Sequence, residues 1–246
     1  MASQLIYQFY SELADFEPKI WRRFQVAGNI TMARLGYIVM TLYEMNAGHL
    51  FSVDFPIDEN LKLNMARFPE FHPVPPEEER IVHYEVLSDE DDPDMQQDDA
   101  RDATETKLSS LSHEPGLLLR VMYDFGDGWE VTLQLESVIE DKNLPGKELP
   151  RVLEGEGFGI IENCGGPDGL AHLAEAFKTK AGEEYEALSE WLGQKELDLT
   201  AFDLDDMNFR LKKVPRIYRD LYEYDYEPTD HSIGILNRAY LSKKGK

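Results

Sequence analysis

The residues best suited to chemistry lie around one short block. Asp124 and Asp127 are three positions apart in Tyr123-Asp124-Phe125-Gly126-Asp127-Gly128-Trp129-Glu130. Two such carboxylates, completed by Glu130 and Glu162, could hold Mg²⁺ or Mn²⁺ in an oxygen site for metal-assisted hydrolysis. The same residues suit a tight turn, in which Asp caps its own backbone and Gly supplies a positive φ. The turn is the simpler expectation, with Phe125 and Trp129 as core anchors. Cys164, in Asn163-Cys164-Gly165-Gly166, is the only cysteine. At the start of a helix it could be a nucleophile or a metal ligand. It could equally be a small residue in a tight loop leading into a helix that begins near Pro167. A zinc site would need His49, His72 or His83 to converge on it. His49, just after a helix, is a candidate ligand or a half-buried hydrogen-bonding residue. Arg22 and Arg23 follow Trp21 in a strand-like run, so they point to opposite faces. One points to solvent, and the other needs a carboxylate, for which Asp124 or Asp127 is the natural bidentate partner; an anion site is the alternative.

The elements that must position these groups read as strands first and helices later. Leu5, Tyr7 and Phe9 alternate with polar neighbours in a first strand. A turn at Asp15-Phe16-Glu17-Pro18 leads to a second strand over Lys19 to Val26, with Ile20, Phe24 and Val26 on one face and Trp21 and Arg23 on the other. Met32, Leu35, Ile38, Val39, Leu42 and Tyr43 have helical spacing behind a cap at Asn29 or Thr31. Further strands are predicted at Leu50 to Phe55, Ile81 to Leu87, Leu117 to Phe125 and Trp129 to Val138, the last two as a hairpin. Leu144 to Gly169 reads as a Gly/Pro-rich link. Helices follow at 169–178 and 183–192, then one capped by Asp203 or Asp205 that breaks at Pro215, and one over 217–224. The pattern predicts a single α+β domain over 1–246, a mostly antiparallel sheet with helices packed on one face and a helical C-terminal portion over 167–225.

Charge limits what such a domain can do. The 246 residues carry 25 Lys+Arg and 48 Asp+Glu, a net charge of −23. That excludes broad neutralisation of phosphates and argues against docking on anionic membranes. Ser88 to Thr106 holds nine acidic residues and one Arg, so −8 is concentrated there, with Met95 its only large apolar side chain. Such a segment is expected to be a mobile insert in a sheet connection. It is not an EF-hand, because Pro93 and Ala100 occupy ligand positions counted from Asp89. With no apolar run long enough to span a bilayer and no leader pattern, a cytoplasmic protein is expected.

Three stretches together resemble a known family. They are Pro18 to Val26 with Thr31 and His49-Leu50; Tyr123 to Glu130 with Leu135-Glu136; and Glu162 to Gly169 with Trp191-Leu192 and Phe202-Asp203-Leu204-Asp205. Their order and spacing resemble the plasmid pRiA4b ORF-3-like family, also labelled IS1096 element passenger TnpR-like, over roughly Leu5 to Asn208. The resemblance implies a compact α+β domain of mobile-element-associated origin and brings no established activity. The family's His shortly after the tryptophan is replaced here by Glu130-Val131. Its Pro-x-Cys becomes Pro150-Arg151-Val152, and its Pro-Pro-Glu-Asp-Cys-Gly-Gly becomes Ile160-Ile161-Glu162-Asn163-Cys164-Gly165-Gly166. Resolvase chemistry is not expected: no histidine has Arg three residues on, and the charge has the wrong sign for DNA. Nor is kinase chemistry, since Asp124-Phe125-Gly126 has no phosphate loop or His-Arg-Asp partner.

The function expected is therefore that of a non-catalytic, cytoplasmic interaction or accessory protein without a cofactor. Its acidic surface suits a basic protein partner, with nucleic-acid mimicry as the sharpest form. Trp21, Arg22, Arg23, His49 and Trp129 are the expected binding residues. The alternative is a metal-dependent hydrolase or nuclease using Asp124, Asp127, Glu130 and Glu162, with Cys164 as a further candidate.

Overall fold

The computed structural model describes residues 4–67, 80–87, 100–141, 144 and 146–241. Eight strands form one sheet: β1 (Gln4–Leu13), β2 (Trp21–Ala27), β3 (Phe51–Pro56), β4 (Ile81–Glu85), β5 (Arg101–Asp102), β6 (Leu118–Tyr123), β7 (Trp129–Asp141) and β8 (Arg151–Glu156). Their order is β5-β4-β3-β6-β7-β1-β2-β8, and every pairing is antiparallel except β4 with β5. The expected β1–β2 and β6–β7 hairpins are both present. Period-two alternation puts Tyr7, Phe9, Phe24, Val26, Val121, Tyr123, Trp129, Val131, Leu133 and Leu135 on one face, all inaccessible to solvent.

Helix α1 (Met32–Leu42) lies on that face. It is capped by Thr31, whose Oγ1 accepts from Arg34 N at 3.1 Å. Every residue of α1 except Arg34 is buried, because the helices α5 (Leu204–Leu211) and α6 (Val214–Tyr224) cover its other side. Asp203 caps α5, accepting from Asp206 N at 2.9 Å. Pro215 falls in the first turn of α6, where a missing N–H costs nothing, so the predicted break is a helix start. The remaining helices are α2 (Ile57–Arg67), α3 (Gly166–Thr179), α4 (Glu183–Leu192) and α7 (Asp230–Leu236).

Two sequence expectations change. The link over Leu144 to Gly169 contains a strand, β8, which adds to the β2 edge. Its Gly155 permits that approach, since a Cβ there would lie 2.8 Å from Arg22 Cδ and 2.9 Å from Trp21 O. The acidic segment is not uniform either. Residues 88–99 of the expected mobile insert lie outside the described residues, whereas 100–106 are folded. Ala103 is fully buried, and β5 pairs with β4. The carbonyls of Ala103 and Thr106 accept from Ala33 N and Met32 N at 2.9 and 2.8 Å. The segment thus satisfies two of the four N–H groups that open α1, a role its composition conceals.

Candidate functional site

The two arginines separate as strand alternation requires, but neither meets an aspartate of the hairpin. Arg23 faces away from α1 and pairs with Glu136 at 2.8 Å and Glu154 at 2.5 Å. Arg22 faces the core, is fully buried and has no carboxylate partner within hydrogen-bonding distance among the described residues. Its guanidinium donates to the carbonyls of Leu42, Trp21, Glu156, Gly157 and Phe158 at 2.6–3.2 Å and stacks 4.2 Å from the Phe202 ring centroid. Burial pulls its pKa down to about 10, which leaves it charged at neutral pH. The expected Arg–Asp pair is therefore replaced by a cation that gathers backbone carbonyls from α1, β2 and the turn after β8. Trp21 stands half-exposed on the outer face, stacked on Tyr10, while Trp129 is in the core.

The hairpin aspartates meet other groups. Asp124 sits at φ 52, and its Oδ1 accepts from Gly126 N and Asp127 N at 3.2 and 3.4 Å, the expected turn role. Its Oδ2 faces outward from the turn, 3.4 Å from His49 Nε2. The same nitrogen lies 3.9 Å from Glu162 Oε2. Glu162 Oε1 accepts from Asn46 N at 2.7 Å and from the Tyr123 hydroxyl at 2.9 Å. Burial, then the neighbouring carboxylate, keep that phenol protonated by raising its pKa. Oε2 of Glu162 is buried without a hydrogen-bond partner among the described residues. Asp127 closes the corner by accepting from Gly165 N at 3.3 Å. Here glycine is obligatory: a Cβ on Gly166, at φ 71, would lie 2.3 Å from Asp127 O. The loop after α1, the β6–β7 turn and the loop before α3 thus bring His49, Asp124, Asp127 and Glu162 together.

Other sequence candidates are placed elsewhere. Glu130 points to the opposite face, where it lies 3.4 Å from Arg120, itself paired with Glu59 of α2. It cannot join Asp124 and Asp127 in one oxygen site. Phe125, expected in the core, is 44% exposed, because the turn tips it outward. His83 pairs with Asp54 at 2.9 Å on β3, and His72 lies outside the described residues. Among the described residues no group of three His, Cys, Asp or Glu side chains is placed to hold a metal. Cys164 is half-buried, with Sγ 3.6 Å from Gly166 O. Burial and then Asp127 push its pKa up to about 11, the opposite of an activated thiol.

The chain matches the plasmid pRiA4b ORF-3-like protein family over residues 5–211. It belongs to that family. A curated family relative, uncharacterized protein y4hQ of Sinorhizobium fredii (strain NBRC 101917 / NGR234), is 32% identical over 108 residues, 44% of this chain and 54% of the relative. The chain thus spans about half the length of the curated relative it matches. The fold resembles the crystal structure of a protein of unknown function, MM3350 from Methanosarcina mazei Go1, with a TM-score of 0.65 and 24% identity. That likeness covers 83% of this chain and 98% of the other. Among the described residues no helix is long and apolar enough to cross a membrane.

Past the family match, the C-terminal segment bears on the site. Tyr222 of α6 donates to His49 O, and Tyr218 to Met45 O at 2.5 Å. Arg238, after α7, binds both Glu44 oxygens at 2.5 and 2.8 Å and Asp206 at 2.8 Å. Glu44 and Ala47 hold left-handed φ values of 62 and 63 in the loop so anchored. Nothing in the spacing of these tyrosines and Arg238 marks them as supports of His49. Tyr123 was legible only as a motif residue, and its alternation with Val121 gives its face but not its contact with Glu162.

Proposed function

We propose that this family member is a non-catalytic interaction protein that takes a basic segment of a protein partner at the corner formed by His49, Asp124, Asp127 and Glu162. The observation that carries this reading is Glu162 Oε2, a buried carboxylate oxygen without a hydrogen-bond donor among the described residues, which shares with Asp124 only the His49 imidazole, at 3.9 and 3.4 Å. A buried anionic acceptor without a donor is costly to the fold alone, and a Lys or Arg of a partner supplies that donor where the half-exposed His49 ring, which faces both carboxylates, gives way. The protonated thiol of Cys164 and the division of the acidic residues between two faces of the sheet argue against a nucleophile or a four-carboxylate hydrolase centre. The net charge of −23 favours encounter with a basic surface.

The test is calorimetric titration of the intact chain with a twelve-residue Lys/Ala peptide. Binding should weaken with salt and fall at least about tenfold in the Asp124→Asn, Glu162→Gln double variant. Equal binding by that variant would overturn the reading. Stoichiometric metal in the purified protein, or a thermal shift with Mg²⁺, Mn²⁺ or Zn²⁺ that the double variant loses, would favour the hydrolase instead.

A further inference from the structure

The corner contains its own competitor for a cationic ligand. Among the described residues no Lys or Arg pairs with Asp124 or Glu162, and the basic side chain that faces them is the His49 imidazole. Its Nε2 stands between the two carboxylates, 3.4 Å from Asp124 Oδ2 and 3.9 Å from Glu162 Oε2. Both distances exceed the roughly 2.7–2.9 Å of a charge-assisted N–H···O bond. His83 and His172 differ, lying 2.9 and 3.1 Å from a single carboxylate each. His49 is thus placed beside two anions and bound tightly to neither. The backbone around it is fixed. Tyr222 donates to His49 O, and Gly48 N donates to Asn46 Oδ1 at 3.1 Å and to the Tyr123 hydroxyl at 3.2 Å. The ring itself meets Tyr123 edge to face, with centroids 5.8 Å apart, and the side chain is 35% exposed. Solvent protons reach it, and it can turn about its own side-chain bonds without backbone movement.

Imidazole is the side chain whose charge ordinarily changes between pH 5 and 8. The other titratable groups facing His49 are of kinds that do not. Asp124 of the β6–β7 turn and Glu162 of the loop before α3 are carboxylates, a class ordinarily ionised throughout that range. Tyr123 of β6 and Tyr222 of α6 are phenols that burial, foremost, keeps protonated. We propose that His49 gates the corner by exchanging a proton with solvent: the neutral ring yields its place to a Lys or Arg of the basic segment, and the imidazolium bridges Asp124 Oδ2 and Glu162 Oε2 and holds the segment off. This rests on the corner's reading as a site for a basic segment and adds the regulation of that site. An imidazolium donates to the open oxygen of Glu162 and cancels one of two negative charges, so proton and segment compete for the same pair of carboxylates. The competition is reciprocal: lowering the pH weakens the segment, and binding the segment expels the proton.

The experiment measures binding of a labelled twelve-residue Lys/Ala peptide to the intact chain by fluorescence anisotropy, at pH 7.5 and 5.5 and one ionic strength. An imidazole of ordinary basicity that must be neutral for binding lowers the affinity about tenfold over that interval. His49→Gln keeps a planar polar side chain that does not titrate, and its affinities at the two pH values should agree within about twofold. An equal loss in the two proteins, or no loss in wild type, overturns the gate and leaves the corner's reading standing. If wild type binds the peptide at neither pH, the corner and the gate fall together. A second measurement does not depend on how the variant folds. In NMR titrations of the intact wild type, saturating peptide should move the protonation of the His49 imidazole at least about one pH unit lower. A midpoint that the peptide leaves in place overturns the gate as well.

Discussion

Arg22 and Glu162 are both charged residues withdrawn from water, and the fold treats them in opposite ways. Arg22 donates to five carbonyls, lies against an aromatic ring and has no exposed surface. Glu162 has one oxygen that accepts from two donors and the other buried without one among the described residues. The first arrangement is closed: no partner can improve it, and removing it orphans several backbone acceptors at once. The second is open and gains from any donor that reaches it. Saturated buried charge marks what holds this protein together, and the unsaturated oxygen of Glu162 is the group on which the proposed binding corner rests.

The largest effect should follow from breaking the closed case. Arg22→Met keeps much of the side-chain length but removes every donor, leaving carbonyls of α1, β2 and the turn after β8 without their shared partner. The expected cost is about 4 kcal/mol, or roughly 10 °C in melting temperature for a chain of this size. Arg22→Lys should recover only part of it, because three donors on a point charge cannot span those acceptors. A melting temperature within about 2 °C of wild type for Arg22→Met would show that these carbonyls find water instead.

The next effect tests whether the open case depends on the segment beyond the family match. Arg238→Ala removes two bonds to Glu44, whose side chain is 8% exposed, and one to Asp206. Arg210, 3.6 Å from Glu44, remains as partial compensation. The expected loss is about 2–3 kcal/mol, with displaced NMR resonances for the His49 imidazole, since Glu44 begins the loop that carries it. A stability loss with unmoved His49 resonances would confine Arg238 to holding α7.

The contrast also explains what the sequence could disclose. Strand alternation separated Ile20, Phe24 and Val26 from Trp21 and Arg23, and it fixed the β1–β2 and β6–β7 hairpins, because side-chain period and turn chemistry are local. It placed Arg22 on the core face but not its partners. Those are backbone carbonyls, which every residue carries and no motif records. The expected Asp124 pair failed for that reason. Composition misjudged residues 100–106, where Ala103 and two carbonyls serve α1 among acidic neighbours. The corner was half legible: Asp124, Asp127, Glu162 and His49 were all named, but their convergence depends on loops set by left-handed Glu44, Ala47 and Asn163. None of these residue types demands that conformation.

A smaller effect separates charge from shape at the open oxygen. Glu162→Gln can retain the acceptor for Asn46 N and Tyr123 while turning an amide toward Asp124 and His49. Stability should change by no more than about 1 kcal/mol, and a gain is compatible with relief of the uncompensated oxygen. A loss above about 2 kcal/mol would make Glu162 a structural residue like Arg22 and would remove the basis of the comparison.

The smallest effect concerns Glu130, intermediate between the two cases, with one arginine at 3.4 Å and other carboxylates nearby. Burial first raises its pKa; Arg120 opposes this, and Asp15, Glu59 and Asp54 add to it. A carboxyl whose folded-state pKa lies above its unfolded value binds its proton more tightly when folded. The stability it contributes is complete below the unfolded pKa and is lost as pH rises through the folded one. Glu130→Gln, permanently neutral, should therefore melt a little higher than wild type at pH 7, and the difference should shrink as pH is lowered through the carboxylate range toward 4. Thermal melts of both proteins across that range provide the check. If the variant is instead the less stable at pH 7, the Arg120 pair outweighs burial, and Glu130 belongs with the saturated charges rather than between the two kinds.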